Sequence, residues 1–229
     1  MKFHVSTTLD KKTAPIILIP GWATDPRIFD RQPIAASTIA AHGQFDGCFS
    51  KDLADFLTAE GIASVTLFGW SLGGAAALTF ARAYPEMVRR VALAGVRPSY
   101  SDAEIADMQL RLSADKEACL FDFYRRCFLP AQRDDYRWFK TTLQSAYLEK
   151  WTTEELLRGL DYLRETSFGE AALRLVPTTV FHGALDIVAP VDEIASIAER
   201  AGVDVRVVPN ASHAVIMDPR CSMEALGFE

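Results

Sequence analysis

Gly69-Trp70-Ser71-Leu72-Gly73, with Gly74 directly behind it, follows the apolar run Val65-Thr66-Leu67-Phe68 and precedes Ala75-Ala76-Ala77-Leu78-Thr79-Phe80-Ala81. A strand that runs straight into a helix through a G-x-S-x-G turn is the nucleophile-elbow pattern: the serine takes a strained backbone conformation and the flanking glycines give the chain room to turn. Ser71 is therefore a candidate nucleophile at the top of a sheet. A merely tight strand-to-helix turn would read the same way, and the bare pentapeptide can arise by chance. The surroundings favour the catalytic reading, because later segments supply an acid and a histidine in the order Ser, Asp, His.

The rest of the chain sets bounds on that reading. Its 229 residues suffice for one core with a sizeable interior and one insertion. A net charge of -6 argues against general nucleic-acid affinity, which needs a basic surface, so any acidic partner must meet a local patch. Cys48, Cys119, Cys127 and Cys221 form no C-x-x-C pair, Met1 to Ser6 has no apolar run of signal-peptide length, and no apolar stretch could span a bilayer. The expectation is a cytoplasmic protein with reduced thiols and no membrane partner.

Outward from the elbow, short apolar runs alternate with helical patterns. Lys2 to Thr8 reads as an edge strand, Ile16 to Ile19 as a strand buried on both faces, and Ser37 to Ala40 as a weak one. Ser50 is placed as the N-cap of a helix over Lys51 to Leu57 that Gly61 stops. The elbow strand spans Ser64 to Phe68, its helix Gly73 to Tyr84, and Val88 to Gly95 is the next strand. From Pro98 to about Leu175 the strand signal vanishes. Helices are expected over Ser101 to Leu112, Lys116 to Phe128, Arg133 to Leu148 and Thr152 to Thr166, two of them opened by the capping boxes Ser101/Glu104 and Thr152/Glu155. Strand Thr178 to Gly183, helix Val191 to Ala201 and strand Val203 to Val208 complete the alternation. The expected fold class is α/β, with a mostly parallel sheet covered on both faces. Residues 1–97 and 176–229 form the core, and 98–175 form an inserted helical cap that excludes water from the site.

Nucleophilic catalysis by serine needs a base within hydrogen-bond reach and a carboxylate that holds the base in one tautomer. Asp186, at the end of the run His182-Gly183-Ala184-Leu185-Asp186, and His213, in the loop after the last strand, supply both. The bland readings are a helix N-cap ahead of Pro190 for Asp186 and an exposed loop residue for His213; His4, His42 and His182 are read as structural. The loop Pro20-Gly21-Trp22 leaves the first buried strand where a serine hydrolase needs a backbone N–H for its oxyanion, which makes Trp22 a candidate donor. The alternative is an ordinary Pro-Gly turn with Trp22 in the core.

Ile19-Pro20-Gly21-Trp22, Gly69 to Gly74, His182 to Val188 and Ser212-His213 together resemble the landmark motifs of the α/β-hydrolase fold family, in family order and over nearly the whole chain. Within it, G-W-S-L-G-G, the tryptophan after the first Pro-Gly and G-A-L-D-I-V-A-P are similar to the pimeloyl-acyl-carrier-protein methyl ester esterases of biotin synthesis. The resemblance implies Ser71 as nucleophile, Asp186 as orienting acid, His213 as base and the N–H groups of Trp22 and Leu72 as oxyanion donors. It also places Phe123 to Cys127, and with them Trp22, near the acyl chain. The chain departs from the family in having Pro20-Gly21 for the usual His-Gly. Ala41 to Gly47 is a reduced form of the segment before the elbow helix, and the short tail after His213 leaves room only for a brief final helix.

The function expected is a serine carboxylester hydrolase, a monomer acting on a small-molecule ester with no metal or organic cofactor. Another reaction of the same fold, such as carbon-carbon bond hydrolysis or a lyase step, and a silent ligand-binding protein stay open. An acyl carrier protein, being acidic, would need a positive rim. Arg125, Arg126, Arg133, Arg137 and Lys140 outnumber Asp134 and Asp135 between Phe123 and Lys140, and Arg133 and Arg137 share one helix face. A solvated face that keeps the cap soluble accounts for the same charges.

Overall fold

Apolar runs buried on both faces must lie side by side in a sheet, and in the computed structural model, described here for residues 1–5, 14–32, 37–43 and 45–221, they do. The strands are β1 (Lys2–Val5), β2 (Ile16–Ile19), β3 (Thr38–His42), β4 (Val65–Trp70), β5 (Val88–Ala94), β6 (Thr178–Gly183) and β7 (Val205–Val208). They form one seven-stranded sheet in the order β1-β3-β2-β4-β5-β6-β7, with β1 antiparallel to β3 and every other neighbouring pair parallel. The weak strand of the sequence is thus a full member, inserted between the edge strand and β2. Residues 6–8 of the expected edge strand and the expected brief final helix beyond residue 221 lie outside the described residues.

Helices α1 (Phe49–Ala59) and α2 (Leu72–Ala83) precede β5, and α9 (Val191–Ala201) joins β6 to β7. Between β5 and β6 come α3 (Asp102–Ala114), α4 (Lys116–Phe128), α5 (Arg133–Thr142), α6 (Gln144–Lys150), α7 (Thr153–Glu165) and α8 (Glu170–Arg174). The Phe168 N–H donates to the Pro98 carbonyl at 3.0 Å, so this helical segment enters and leaves the core at neighbouring points. Its aromatic cluster of Tyr124, Phe128, Phe139 and Tyr147 is continuous with the hydrophobic core. Both expected capping boxes are formed, at Ser101/Glu104 and Thr152/Glu155.

Two expectations need correction, and one short helix was not expected. Helix α1 starts at Phe49 with Cys48 as its cap residue, and Ser50 already lies inside it: Asp46 accepts from the Cys48 and Phe49 N–H groups and starts the turn two residues early. The single helix expected over Arg133 to Leu148 is two, broken at Leu143. Just before the break the Thr141 hydroxyl donates to the Arg137 and Trp138 carbonyls, a back-bond that competes with the helix ladder and bends it. The five-residue α8 carries too little periodicity to be read from sequence. All four cysteines are free. No helix among the described residues is long and apolar enough to cross a membrane.

Candidate active site

The parallel strands bring the exits of β2, β4, β5, β6 and β7 to one edge of the sheet, the edge where open α/β sheets bind ligands. At the exit of β4, Ser71 has φ 55° and ψ -121°, a conformation costly for a residue with a Cβ. Its N–H is held by the Ala94 carbonyl at 2.9 Å and its carbonyl accepts from Gly74 N–H at 2.9 Å. The turn closes only because its flanks are glycine. A Cβ on Gly69 would stand 2.6 Å from the Gly74 Cα, and one on Gly73 would run into the carbonyls of Ile19 and Pro20.

Asp186 lies in the turn after β6, buried, with one carboxylate oxygen accepting from the N–H groups of Val188 (2.9 Å) and Ala189 (2.8 Å). The other oxygen is 2.8 Å from His213 Nδ1, and His213 Nε2 is 3.0 Å from Ser71 Oγ. A carboxylate only accepts, so Nδ1 carries the proton and Nε2 is left to accept from the serine hydroxyl. Burial by itself would raise the Asp186 carboxyl, but His213 and His182 beside it outweigh that and hold it well below the usual carboxylate range. His182, read from sequence as structural, is fully buried; its Nε2 donates to the Ala189 carbonyl at 2.6 Å and lies 3.4 Å from Asp186. The structure therefore brings Ser71, Asp186 and His213 together. Among the described residues no cluster of three or more His, Cys, Asp or Glu side chains could hold a metal ion.

The N–H of Leu72, in the first turn of α2, and that of Trp22 have no acceptor among the described residues, as donors kept for a ligand should be. The Trp22 side chain is buried: its indole N–H donates to the Leu156 carbonyl in α7 at 2.9 Å, and its ring meets Phe123 edge-on at 4.8 Å. A cavity of about 180 Å³ opens over Ser71, walled by Trp22, Phe123, Ile105, Met108, Leu160 and Leu163. Four of the residues expected near substrate thus divide. Phe123 lines the cavity, whereas Cys127, Arg133 and Arg137 do not. Cys127 is buried behind it, its carbonyl accepting from the Ala214 N–H at 2.8 Å, while Arg133 and Arg137 lie exposed on α5. Sequence reasoning passed over two charged residues of the wall, Arg97 and Arg111. Arg97 is held by Glu104 and Glu193, each at 2.7 Å, and Arg111 by Asp122 at 2.8 Å. Arg126 lines the cavity with no ion pair among the described residues. It falls in the stretch Phe123 to Cys127 expected near the acyl chain, and its spacing of three from Phe123 puts both on one face of α4.

Fold and sequence together define the class of a hydrolytic enzyme. The chain belongs to the alpha/beta hydrolase family, whose model matches residues 16–221. It is 26% identical over 227 residues, 87% of each chain, to a protein of Pectobacterium carotovorum subsp. carotovorum (strain PC1) named pimeloyl-[acyl-carrier protein] methyl ester esterase. Similar solved structures include an esterase from Exiguobacterium antarcticum (TM-score 0.79, 19% identity, covering 98% of this chain and 94% of that one). Another is the enol-lactonase from Burkholderia xenovorans LB400 (TM-score 0.82, 15% identity, 99% and 95% covered). A bromoperoxidase from Bacillus anthracis is equally close in shape (TM-score 0.82, 19% identity, 99% and 94% covered), so these likenesses speak for the fold.

Proposed function

We propose that the chain is a serine carboxylester hydrolase in which Ser71, His213 and Asp186 act as nucleophile, general base and orienting acid. The observation that carries this reading is the continuous hydrogen-bonded line from Asp186 through His213 to Ser71 Oγ at the floor of the cavity. His213 Nε2 takes the hydroxyl proton as Ser71 Oγ attacks the ester carbonyl carbon. The tetrahedral oxyanion turns to the N–H groups of Trp22 and Leu72. The imidazolium, steadied by Asp186, gives its proton to the departing alcohol, and a water deprotonated by His213 then releases the acid. Residues 98–175 serve as the cap, whose apolar wall of Phe123, Leu160 and Leu163 receives the acyl chain.

The finer reading is a methyl ester whose acyl chain is borne by an acyl carrier protein, as in biotin synthesis. Its support is the name of the Pectobacterium relative together with the basic residues of α4 and α5. In this reading Arg133 and Arg137 meet the acidic carrier outside the cavity, and Arg126 stands nearer the ester. Turnover of methyl and p-nitrophenyl esters across acyl lengths, in the native protein and in Ser71→Ala, tests the catalytic assignment. Ser71→Ala should keep the fold and lose about 10⁴ to 10⁶ in kcat. A near-native rate on the best ester would end the serine mechanism.

A further inference from the structure

Gln132, at the junction of α4 and α5, reaches across to the loop that carries His213 and bonds the backbone on both sides of it. Its Oε1 accepts from the Ser212 N–H at 3.0 Å, and its Nε2 donates to the Ala214 carbonyl at 2.9 Å. The second Nε2 hydrogen goes to Asp135 at 3.1 Å, and Asp135 is paired in turn with Arg31 at 2.6 Å. The side chain is buried, at 6% exposure, so these bonds form away from competing water. One orientation of the amide serves all three partners. Flipped, it would set its oxygen against a carboxylate and a carbonyl, and its NH₂ against an N–H.

We propose that Gln132 is a positioning residue for His213, an assignment that rests on reading His213 as the general base. The imidazole must keep 2.8 Å to Asp186 and 3.0 Å to Ser71 at once, and its direction is set by the peptide planes on either side of it. The loop is fixed from outside: the Trp70 indole N–H at the His213 carbonyl, 2.8 Å away, and the Cys127 carbonyl at Ala214 N–H hold the His213–Ala214 plane, and Gln132, at Ser212 N–H and the Ala214 carbonyl, holds the next plane out on each side. Two of the three clamps come from the helical segment. The cap in this reading holds the base in place as well as covering the substrate.

The test is steady-state kinetics on a small neutral ester, with the rate of fluorophosphonate labelling of Ser71 and thermal unfolding as companions. Gln132→Leu should lower kcat by tenfold to about 10²-fold, the scale set by ångström-level misplacement of a catalytic group. KM should stay within about twofold, since the residue does not line the cavity, and labelling should slow in proportion. Gln132→Glu keeps an acceptor for Ser212 but has no donor for Ala214, so it should lose nearly as much. Asp135→Ala, at a site 20% exposed, leaves the buried amide in place and frees only its orientation; a loss of a few-fold in kcat is expected. A folded Gln132→Leu with native kcat, or one whose loss falls in KM alone, overturns the proposal. Should Gln132→Leu fail to fold, native kcat in Asp135→Ala overturns it instead. Ser71→Ala is run alongside: turnover surviving there sinks the serine reading, whereas a dead Ser71→Ala beside a native Gln132→Leu sinks only the positioning role.

Discussion

At the scale of single residues, the site rests on a few atoms that tolerate little substitution. Asp186 fixes the tautomer of His213, so Asp186→Asn should retain the fold and lose about 10⁴ in kcat on the best ester. A loss of only a few-fold would point to another acid. Trp22 is more telling, because its proposed catalytic atom is the backbone N–H while its indole is engaged elsewhere. Trp22→Phe keeps the N–H and gives up the hydrogen bond to Leu156, which should cost about 1 kcal/mol of stability and leave turnover within several-fold. Gly21→Val should abolish turnover, because even a Cβ there stands 3.1 Å from the Trp70 ring and 3.2 Å from the Ser71 Cβ. Kinetics and denaturant unfolding on the pair separate the roles: a folded but inactive Trp22→Phe would assign the indole itself to the chemistry.

At the scale of elements, what could be read from the sequence was whatever left a local pattern. Ile16 to Ile19 and Val91 to Ala94 are continuous apolar runs, and the Ser101/Glu104 and Thr152/Glu155 boxes start helices where their spacing says they must. Ser71, Asp186 and His213 were legible because each sits just past a strand, so one topology delivers all three to one edge. Gln132, Arg97 and Arg111 were not, since their importance comes from what the fold sets opposite them, 80 residues away for Gln132 and Ser212. The Asp25 turn after β2 is another such meeting. Its carboxylate accepts from Arg27 at 2.8 Å and from Lys150 of α6 at 2.6 Å, while its carbonyl accepts from the Tyr147 hydroxyl at 3.1 Å. Burial alone would raise the Asp25 carboxyl, but Arg27 and Lys150 overcome it and hold the group at about 2, against 3.8 ordinarily. A pKa lowered in the folded state stabilises above the ordinary value and is lost as pH falls through the folded one. About 2 kcal/mol should therefore disappear between about pH 4 and pH 2. Urea unfolding of Asp25→Asn across that range should show a flatter pH dependence than the native chain; identical slopes would mean that the group carries no such linkage.

At the scale of the whole molecule, the net charge of -6 opposes an acidic partner, so a carrier would need a local basic patch, which the proposed reading puts at Arg133 and Arg137 on α5. Arg137 there is paired with Asp134 at 2.8 Å, an exposed i,i+3 pair of the kind that contributes little and can exchange partners. Arg133→Glu combined with Arg137→Glu should raise KM for a carrier-borne methyl ester and leave a small free ester unaffected, and native KM for the carrier substrate should worsen with salt. Equal effects on both esters, or salt-independent kinetics with the carrier, would return the two arginines to the role of keeping the surface wet. The bond from Phe168 to Pro98 bears on the molecule's history as much as on its stability. A segment that leaves and rejoins its host through one doorway can be exchanged like a cartridge without rethreading the sheet, which lets a lineage try new acyl pockets on an old nucleophile. The exchange is not free here, since the outgoing cartridge takes Gln132, Cys127 and Leu156 with it. A replacement must bring its own grips for the His213 and Trp22 loops, and a chimaera that lacks them should fold and bind but turn over slowly.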